Sequence, residues 1–352
     1  MKKEENRLIG FTCAYTPIQL ISAAGYTPYR VMPTGNAPEQ AGLLLHDNMC
    51  PHVKRVLDRA LANDLPELEG MIFINSCDAM RRLSDAWKKA RPDDKVILLD
   101  LPSVNNKAAV SFFAKECSRL SETLGMWNDA KISTEDIKKS IVLYNELAGI
   151  LDQLRERNRK KTLTGGSTKL QETYNLASTK PVEEVLDAAK KILKEDQPAS
   201  EEKDGVPVYL FGNVLPDTEA FKLFEACGVH IADNDLCTGS RLFNPVAKGK
   251  NENLFLSLSQ SIFSKPPCAR TFDPINPMGI AEHVLNRAKE CGAQGVISYT
   301  LKFCDPYLAR IPVVRSVLQD SSLPFLLLEG DCTMGSIGQQ QTRIEAFIEM
   351  LR

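Results

Sequence analysis

Short apolar runs alternate with amphipathic helical patterns along most of the chain. That alternation constrains the fold more than any other feature. The runs fall at 8–14 (LIGFTCA), 29–32, 71–75, 95–101 (KVILLDL), 207–215 (PVYLFGNVL), 229–232, 295–299 and 323–328. Each has the length of a buried strand rather than of a helix. Between them lie segments whose apolar residues recur at helical spacing. These fall at 17–24, from 51, at 79–89, 217–227, 279–291 and 306–319, and from about 339. Strands separated by helices predict parallel sheets in an α/β fold. In such sheets ligands bind beyond the carboxyl ends of the strands.

The alternation breaks once. From 107 to 193 the strands stop, and 107–125, 134–161 and 181–195 all read as helices. Their charge predicts a solvated helical layer, and the basic run RERNRKK (155–161) reads as a solvated helix end. TGGSTK (164–169) lacks the GxxxxGK[ST] spacing of a phosphate-binding loop and reads as an ordinary loop. Thr16 reads as the N-cap of the first helix, with Pro17 at its first position. KEDQPASEEKDG (194–205) has the composition of a linker. At 352 residues the chain exceeds one typical core. The expected organisation is an N-terminal α/β domain with a helical extension over 1–200, and a C-terminal α/β domain over 206–352. Both are expected to be Rossmann-like or flavodoxin-like parallel sheets. Prolines at 245, 266, 267, 274 and 277 predict an irregular binding or interface loop over 242–278.

Charge narrows the range of partners. The chain carries 43 Lys and Arg against 45 Asp and Glu, a formal net charge of −2. A nucleic-acid surface normally needs a basic excess, so no nucleic-acid partner is expected. The charged start, MKKEENRLIGF, lacks the apolar stretch of a signal peptide, and no run approaches the roughly 18 apolar residues of a membrane helix. The expectation is a cytoplasmic protein without membrane association.

Ten cysteines are many for such a composition. No CxxC occurs, so ribbon-type zinc sites, thioredoxin-like motifs and bacterial-ferredoxin spacing are absent. Three cysteines share one setting. Cys50 opens a helical pattern and is followed by Pro51. Cys77 follows the 71–75 strand and precedes Asp78. Cys304 follows the 295–299 strand and precedes Asp305 and Pro306. Pro and Asp start helices well, and a helix N-terminus favours thiolate over thiol. Spacing alone leaves open buried structural thiols, a Cys₃ zinc site and a [4Fe–4S] cluster with one open iron. His52 reads as helix surface or as an outer partner of a ligand, while His46, His230 and His283 are isolated. The closing EGDCTMGSIGQQQTRIEAFIEML (329–351) places glycines between a strand and a helix. Backbone N–H groups exposed there could bind a carbonyl oxygen or an anion. GxSxG, HExxH and GxGxxG are absent.

GFTCAYTPIQLISAAG, NMCP, NSCD, DLCTGSR, KFCDPY and the closing GQQQTRIEAFIEML occur in that order along the chain. Together they resemble the 2-hydroxyacyl-CoA dehydratase and benzoyl-CoA reductase subunit family. The resemblance implies two α/β domains with a [4Fe–4S] cluster between them, ligated by Cys50, Cys77 and Cys304. It also implies a sister subunit, identical or different, and an ATP-dependent iron–sulfur activator that supplies a low-potential electron. The implied chemistry is single-electron, through a ketyl radical on an acyl-CoA thioester, either a lyase-type dehydration or a reduction.

Two departures from the family pattern matter. Where relatives often carry an acid, this chain has Gln19, which cannot transfer a proton. An electron-relaying or assembly subunit without its own substrate site is therefore an alternative. Some relatives hold a double-cubane [8Fe–9S] cluster through extra cysteines. Cys237 and Cys268 are candidates for that role here, and Cys13 is a substitute for a cysteine this chain lacks. A double-cubane reductase of small molecules is the remaining alternative. Gln19, Ser336 and Gln339 are the catalytic candidates. Cys117, Cys227, Cys291 and Cys332 are expected to be packing residues.

Overall fold

The structure is a computed structural model and describes residues 7–35, 37–195, 205–247, 253–332 and 337–352. Two all-parallel sheets of four strands carry the fold, as the alternation predicts. The first contains β1 (Leu8–Phe11), β2 (Thr27–Arg30), β3 (Gly70–Asn75) and β4 (Val96–Asp100), in the order β2-β1-β3-β4. The second contains β5 (Val206–Gly212), β6 (Val229–Asn234), β7 (Gly295–Leu301) and β8 (Phe325–Gly330), in the order β6-β5-β7-β8. These are the same order. In each, the chain reverses direction across the sheet between its first and third strands, and a crevice opens there beyond their carboxyl ends. β7 is buried along its whole length and β3 along all but its last residue, which is why both read as continuous apolar runs.

Helices cover the sheets. Around the first sheet lie α1 (Ile18–Ala23), α2 (Pro51–Leu61) and α3 (Asp78–Ala90). The helical layer follows with α4 (Lys107–Trp127), α5 (Thr134–Arg159), α6 (Gly166–Ala177) and α7 (Val182–Lys194). The second half adds α8 (Thr218–Ala226), α9 (Leu254–Phe263), α10 (Gly279–Glu290), α11 (Asp305–Asp320) and α12 (Ile337–Leu351). Local caps set several of the starts. The Asn106 side chain accepts from Ala109 N at 2.9 Å, and Ser133 and Asp136 form a reciprocal capping box at α5.

Several expectations need correction. The first helix begins at Ile18, one residue later than predicted, and Pro17 rather than Thr16 stands at its cap. Thr16 Oγ1 is buried without a hydrogen-bond partner. The second strand is Thr27–Arg30, earlier than 29–32. TGGSTK is not simply a loop, because α6 starts inside it at Gly166. Gly165 takes φ +77°, and the Glu225 carboxylate from α8 receives Ser167 Oγ at 2.7 Å and Thr168 N at 3.2 Å. A carboxylate 58 residues away thus caps a helix whose own sequence offers two glycines. The 242–278 stretch is not irregular throughout. Its proline-free centre forms α9, with Asn253 accepting from Leu256 N at 3.2 Å. The run 155–161 is not solvated throughout. Arg155 and Arg159 both reach the buried Asp233 at the end of β6, and Asn158 donates to Ile231 O at 2.8 Å. Most of the 194–205 linker lies outside the described residues, as does Ser336.

Three apolar cores result. One joins a face of the first sheet to the helical layer and also takes in Leu242, Phe243 and α9. A second runs from the first sheet across to the second, from Phe73 and Trp87 to Leu210 and Tyr299. The third lies between the second sheet and α10 and α11. Two of the cores therefore draw side chains from both halves of the chain. No helix among the described residues is long and apolar enough to cross a membrane.

Candidate functional site

The crevices of the two sheets face each other, and cysteines line both. Cys50, Cys77 and Cys304 occupy the N-cap positions of α2, α3 and α11, as their following residues predict. Pro51 supplies the first residue of α2 and Pro306 the second of α11, positions where a missing N–H costs nothing. Cys77 lies just beyond β3, and Cys304 just beyond β7. Phe303, before Cys304, turns the chain at φ +58°, an uncommon conformation for an aromatic residue.

One interior cavity of about 100 Å³ gathers these three and also Cys13, Cys237 and Cys268. Cys13 follows β1, Cys237 lies in the loop after β6, and Cys268 lies on the segment after α9. A wider pocket of about 380 Å³ shares Cys50, Cys77 and Cys304 and opens past Phe303, Asp78, Asp305 and Arg310. The six sulfurs thus form an outer group at the mouth and an inner group behind it. The other cysteines, Cys117, Cys227, Cys291 and Cys332, are buried in the cores, away from both spaces.

The two groups differ in electrostatics. Burial pushes the Cys77 thiol up to about 11, against the pull of the Met80 N–H in the first turn of α3. Cys304 is raised too, first by its hydrogen bond with Cys50 and then by burial. In the inner group Cys237 goes the other way, down to about 6. Its hydrogen bond from Cys268 leads, with Arg241 and Arg30 assisting against burial. Cys268, the donor of that bond, is raised in turn. Burial raises Cys13. A sulfur within 2.9 Å of a guanidinium favours its thiolate, and Arg241 Nη1 stands at that distance from Cys237 Sγ.

Basic side chains brace the inner group. Arg30 donates to Cys237 O at 2.6 Å and Thr12 O at 3.2 Å. Lys265 donates to Ala14 O at 2.8 Å, and burial draws its ammonium down to about 7. The segment from Lys265 to Phe272 acts as a strap over the carboxyl ends of the first sheet. Arg270 donates to the carbonyls of Asn75, Ser76, Leu101 and Pro102. Tyr15 and Thr271 share a hydroxyl bond of 2.8 Å, and Phe272 N donates to Ser103 O at 2.8 Å. Arg270 therefore fixes the turn that presents Cys77.

His52 is not a surface residue. It is buried in the cavity wall, its Nδ1 has no partner, and burial, with help from Arg30, pushes its pKa down to about 3. The imidazole is neutral there. Gln19 is buried but lines neither space, and its backbone carbonyl accepts from Ser140 Oγ at 2.8 Å. Gln339 is exposed in the first turn of α12 and lines neither space. Arg30, Arg241, Lys265 and Arg270 escaped sequence reasoning, because a lone charged residue is normally solvated. The one signal pointing to any of them was DLCTGSR, which contains Arg241. Among the described residues no three His, Cys, Asp or Glu side chains converge on a single point that could hold one metal ion. The thiolates of a cluster bind different irons and need no such convergence.

The model of the family described as 2-hydroxyglutaryl-CoA dehydratase, D-component, matches residues 13–351. The chain is 25% identical over 361 residues to the (R)-phenyllactyl-CoA dehydratase beta subunit of Clostridium sporogenes, covering 100% of this chain and 93% of that one. It is 27% identical over 360 residues to the beta subunit of (R)-2-hydroxyglutaryl-CoA dehydratase of Acidaminococcus fermentans, covering 99% and 94%. It is 24% identical over 333 residues to one of the benzoyl-CoA reductase subunits of Thauera aromatica, covering 91% and 84%.

Proposed function

The chain belongs to the 2-hydroxyglutaryl-CoA dehydratase D-component family, and from that premise we propose that it is an iron–sulfur subunit of an acyl-CoA dehydratase or reductase. Cys50, Cys77 and Cys304 would hold a [4Fe–4S] cluster. A sister subunit, an ATP-dependent activator and an acyl-CoA substrate complete the reading, with the cytoplasm as its place. The observation that carries it is the arrangement of three N-cap cysteines, from both sheets, on one cavity.

The donor set fits the group. Three helix N-termini direct partial positive charge at the sulfurs and would favour the thiolates that ligation needs. Cys77 and Cys304 have raised thiol pKa values here, and a bound metal deprotonates a coordinating thiol outright. When bound, the cluster would supply one-electron and Lewis-acid chemistry. The protein's own work is to orient and to shield. Arg270 holds the Ser76–Cys77 turn, and the small side chains of Ala79, Ala269 and Ala309 line the mouth, where they would leave room for a thioester. The 100 Å³ cavity behind is lined mainly by apolar atoms, which would keep water from a reactive intermediate.

A second reading has its own support. Cys13, Cys237 and Cys268 line the same cavity, so the donor set also suits a double-cubane [8Fe–9S] cluster with six cysteine ligands. Iron and sulfide analysis of anaerobically purified protein tests both readings. About four irons per chain, lost in Cys50→Ser, Cys77→Ser and Cys304→Ser but kept in Cys237→Ser, supports the first. About eight irons, lowered by all six substitutions, supports the second. Iron-free protein sinks both.

A further inference from the structure

The inner end of the cavity carries more positive charge than its surroundings neutralise. Arg241 is fully buried. It donates to Cys237 Sγ at 2.9 Å, Tyr307 OH at 2.8 Å and Gly212 O at 3.3 Å, and it pairs with Asp235 at 3.2 Å. Arg30 and Lys265, also buried, bond to the carbonyls of Cys237, Thr12 and Ala14. Among the described residues no carboxylate lies within ion-pair distance of either. Two guanidiniums, Arg241 and Arg30, and a Lys265 ammonium that burial draws down to about 7 therefore share one buried carboxylate, Asp235. At the mouth the balance is even, with Asp78 and Asp305 against Arg270 and Arg310. Water screens that outer set, whereas buried charges are screened little.

A buried cation without a counter-charge is costly, and a negative occupant removes the cost. We propose that Arg241, backed by Arg30 and Lys265, holds negative charge at Cys237 in preference to the mouth cysteines, so that Arg241 sets the reduction potential of whatever the cavity binds. This rests on the iron–sulfur reading of the cavity. A one-electron reduction adds one negative charge and makes or breaks no bond, so its free energy responds directly to this surplus. Arg241 acts as a positioning residue for that charge, through space and through its bond to Cys237. Asp235 works against it, because its carboxylate neutralises part of the surplus.

The test uses the full chain, purified anaerobically with its iron. The midpoint potential is measured by EPR during titration with titanium(III) citrate, a one-electron reductant. Arg241→Gln should move the midpoint to more negative values. Asp235→Asn should move it to more positive values. Arg241→Lys should stay near the wild type. Opposite shifts in the first two variants separate a charge effect from a packing effect, which would not invert between them. Midpoints that stay put, or move the same way in both, overturn the proposal. If Arg241→Gln fails to fold or to hold iron, Asp235→Asn decides alone: a positive shift supports the proposal, and no shift or a negative one overturns it. An iron-free wild type overturns the iron–sulfur reading, and the proposal falls with it.

Discussion

The two sheets share one strand order yet furnish their crevices differently. In the first sheet, β1 leads to Cys13 and β3 to Cys77. In the second, β5 leads to Asn213 and β7 to Cys304. The position after the third strand repeats, with a cysteine at the N-cap of the following helix in both cases. The position after the first strand does not repeat. The first sheet has Cys13 two residues past its strand, where the second has Asn213 one residue past it. The loop after β6 supplies Cys237 and Arg241 instead. Two of the outer cysteines, Cys77 and Cys304, thus follow a local rule used twice, and the inner ones follow from three unrelated loops meeting. A local rule is robust to distant change, whereas a convergence depends on everything that holds the loops in place.

The largest effect that would test this contrast lies at the last residue of the first strand of each sheet. In β1 it is Phe11, a buried core residue. In β5 it is Gly212, where an added Cβ would sit 2.0 Å from Tyr299 O of the neighbouring strand. Gly212 O also accepts from Tyr307 OH at 2.5 Å. Gly212→Ala should lower the unfolding free energy by about 2–3 kcal/mol, as overpacking does, seen as a drop in Tm. A variant as stable as the wild type would mean that the second crevice closes less tightly than the first.

An intermediate effect concerns pH. The second sheet's edge strand β6 contains His230, whose Nε2 lies 3.3 Å from Arg159 O. The matching edge strand β2 contains no histidine. Burial lowers the His230 pKa from its ordinary 6.5. Below that value the unfolded chain binds a proton that the folded chain resists, so stability is present above 6.5 and is lost as pH falls. His230→Gln should flatten this loss between about pH 7 and about pH 5, read as urea midpoints. An unchanged slope would put the acid sensitivity elsewhere.

The smallest effect is at Phe303, which reaches Cys304 through a left-handed turn. Ser76, before Cys77, needs no such conformation. Phe303→Gly relieves the left-handed cost but loosens the unfolded chain. The two terms should nearly cancel, leaving stability within about 1 kcal/mol of the wild type. A larger loss would show that the half-exposed ring makes contacts worth more than its strain.

The sequence made one part of this architecture legible and hid another. Periodicity exposed all eight strands, because a buried parallel strand is apolar on both faces. Pro51, Asp78 and Pro306 marked the helix starts that place Cys50, Cys77 and Cys304. Hidden were α6, whose cap is Glu225 from another helix, and α9, whose flanking prolines masked its regular centre. The inner cysteines were legible only as candidates by resemblance, since positions 13, 237 and 268 share no local setting. Arg30, Arg241 and Lys265 gave no periodic signal, because burial of a charge is decided by distant partners. For the same reason the sequence reads His52 as helix surface, although it is buried.

The strap from Lys265 to Phe272 has a thermodynamic consequence. It belongs to the second half of the chain, yet its hydrogen bonds end on carbonyls of the first, from Ala14 to Ser103. The first sheet cannot melt without releasing it, and the second half cannot unravel without stripping those carbonyls of their donors. Two folded halves tied this way behave as one cooperative unit, and calorimetry should record a single transition in which the calorimetric and van't Hoff enthalpies agree.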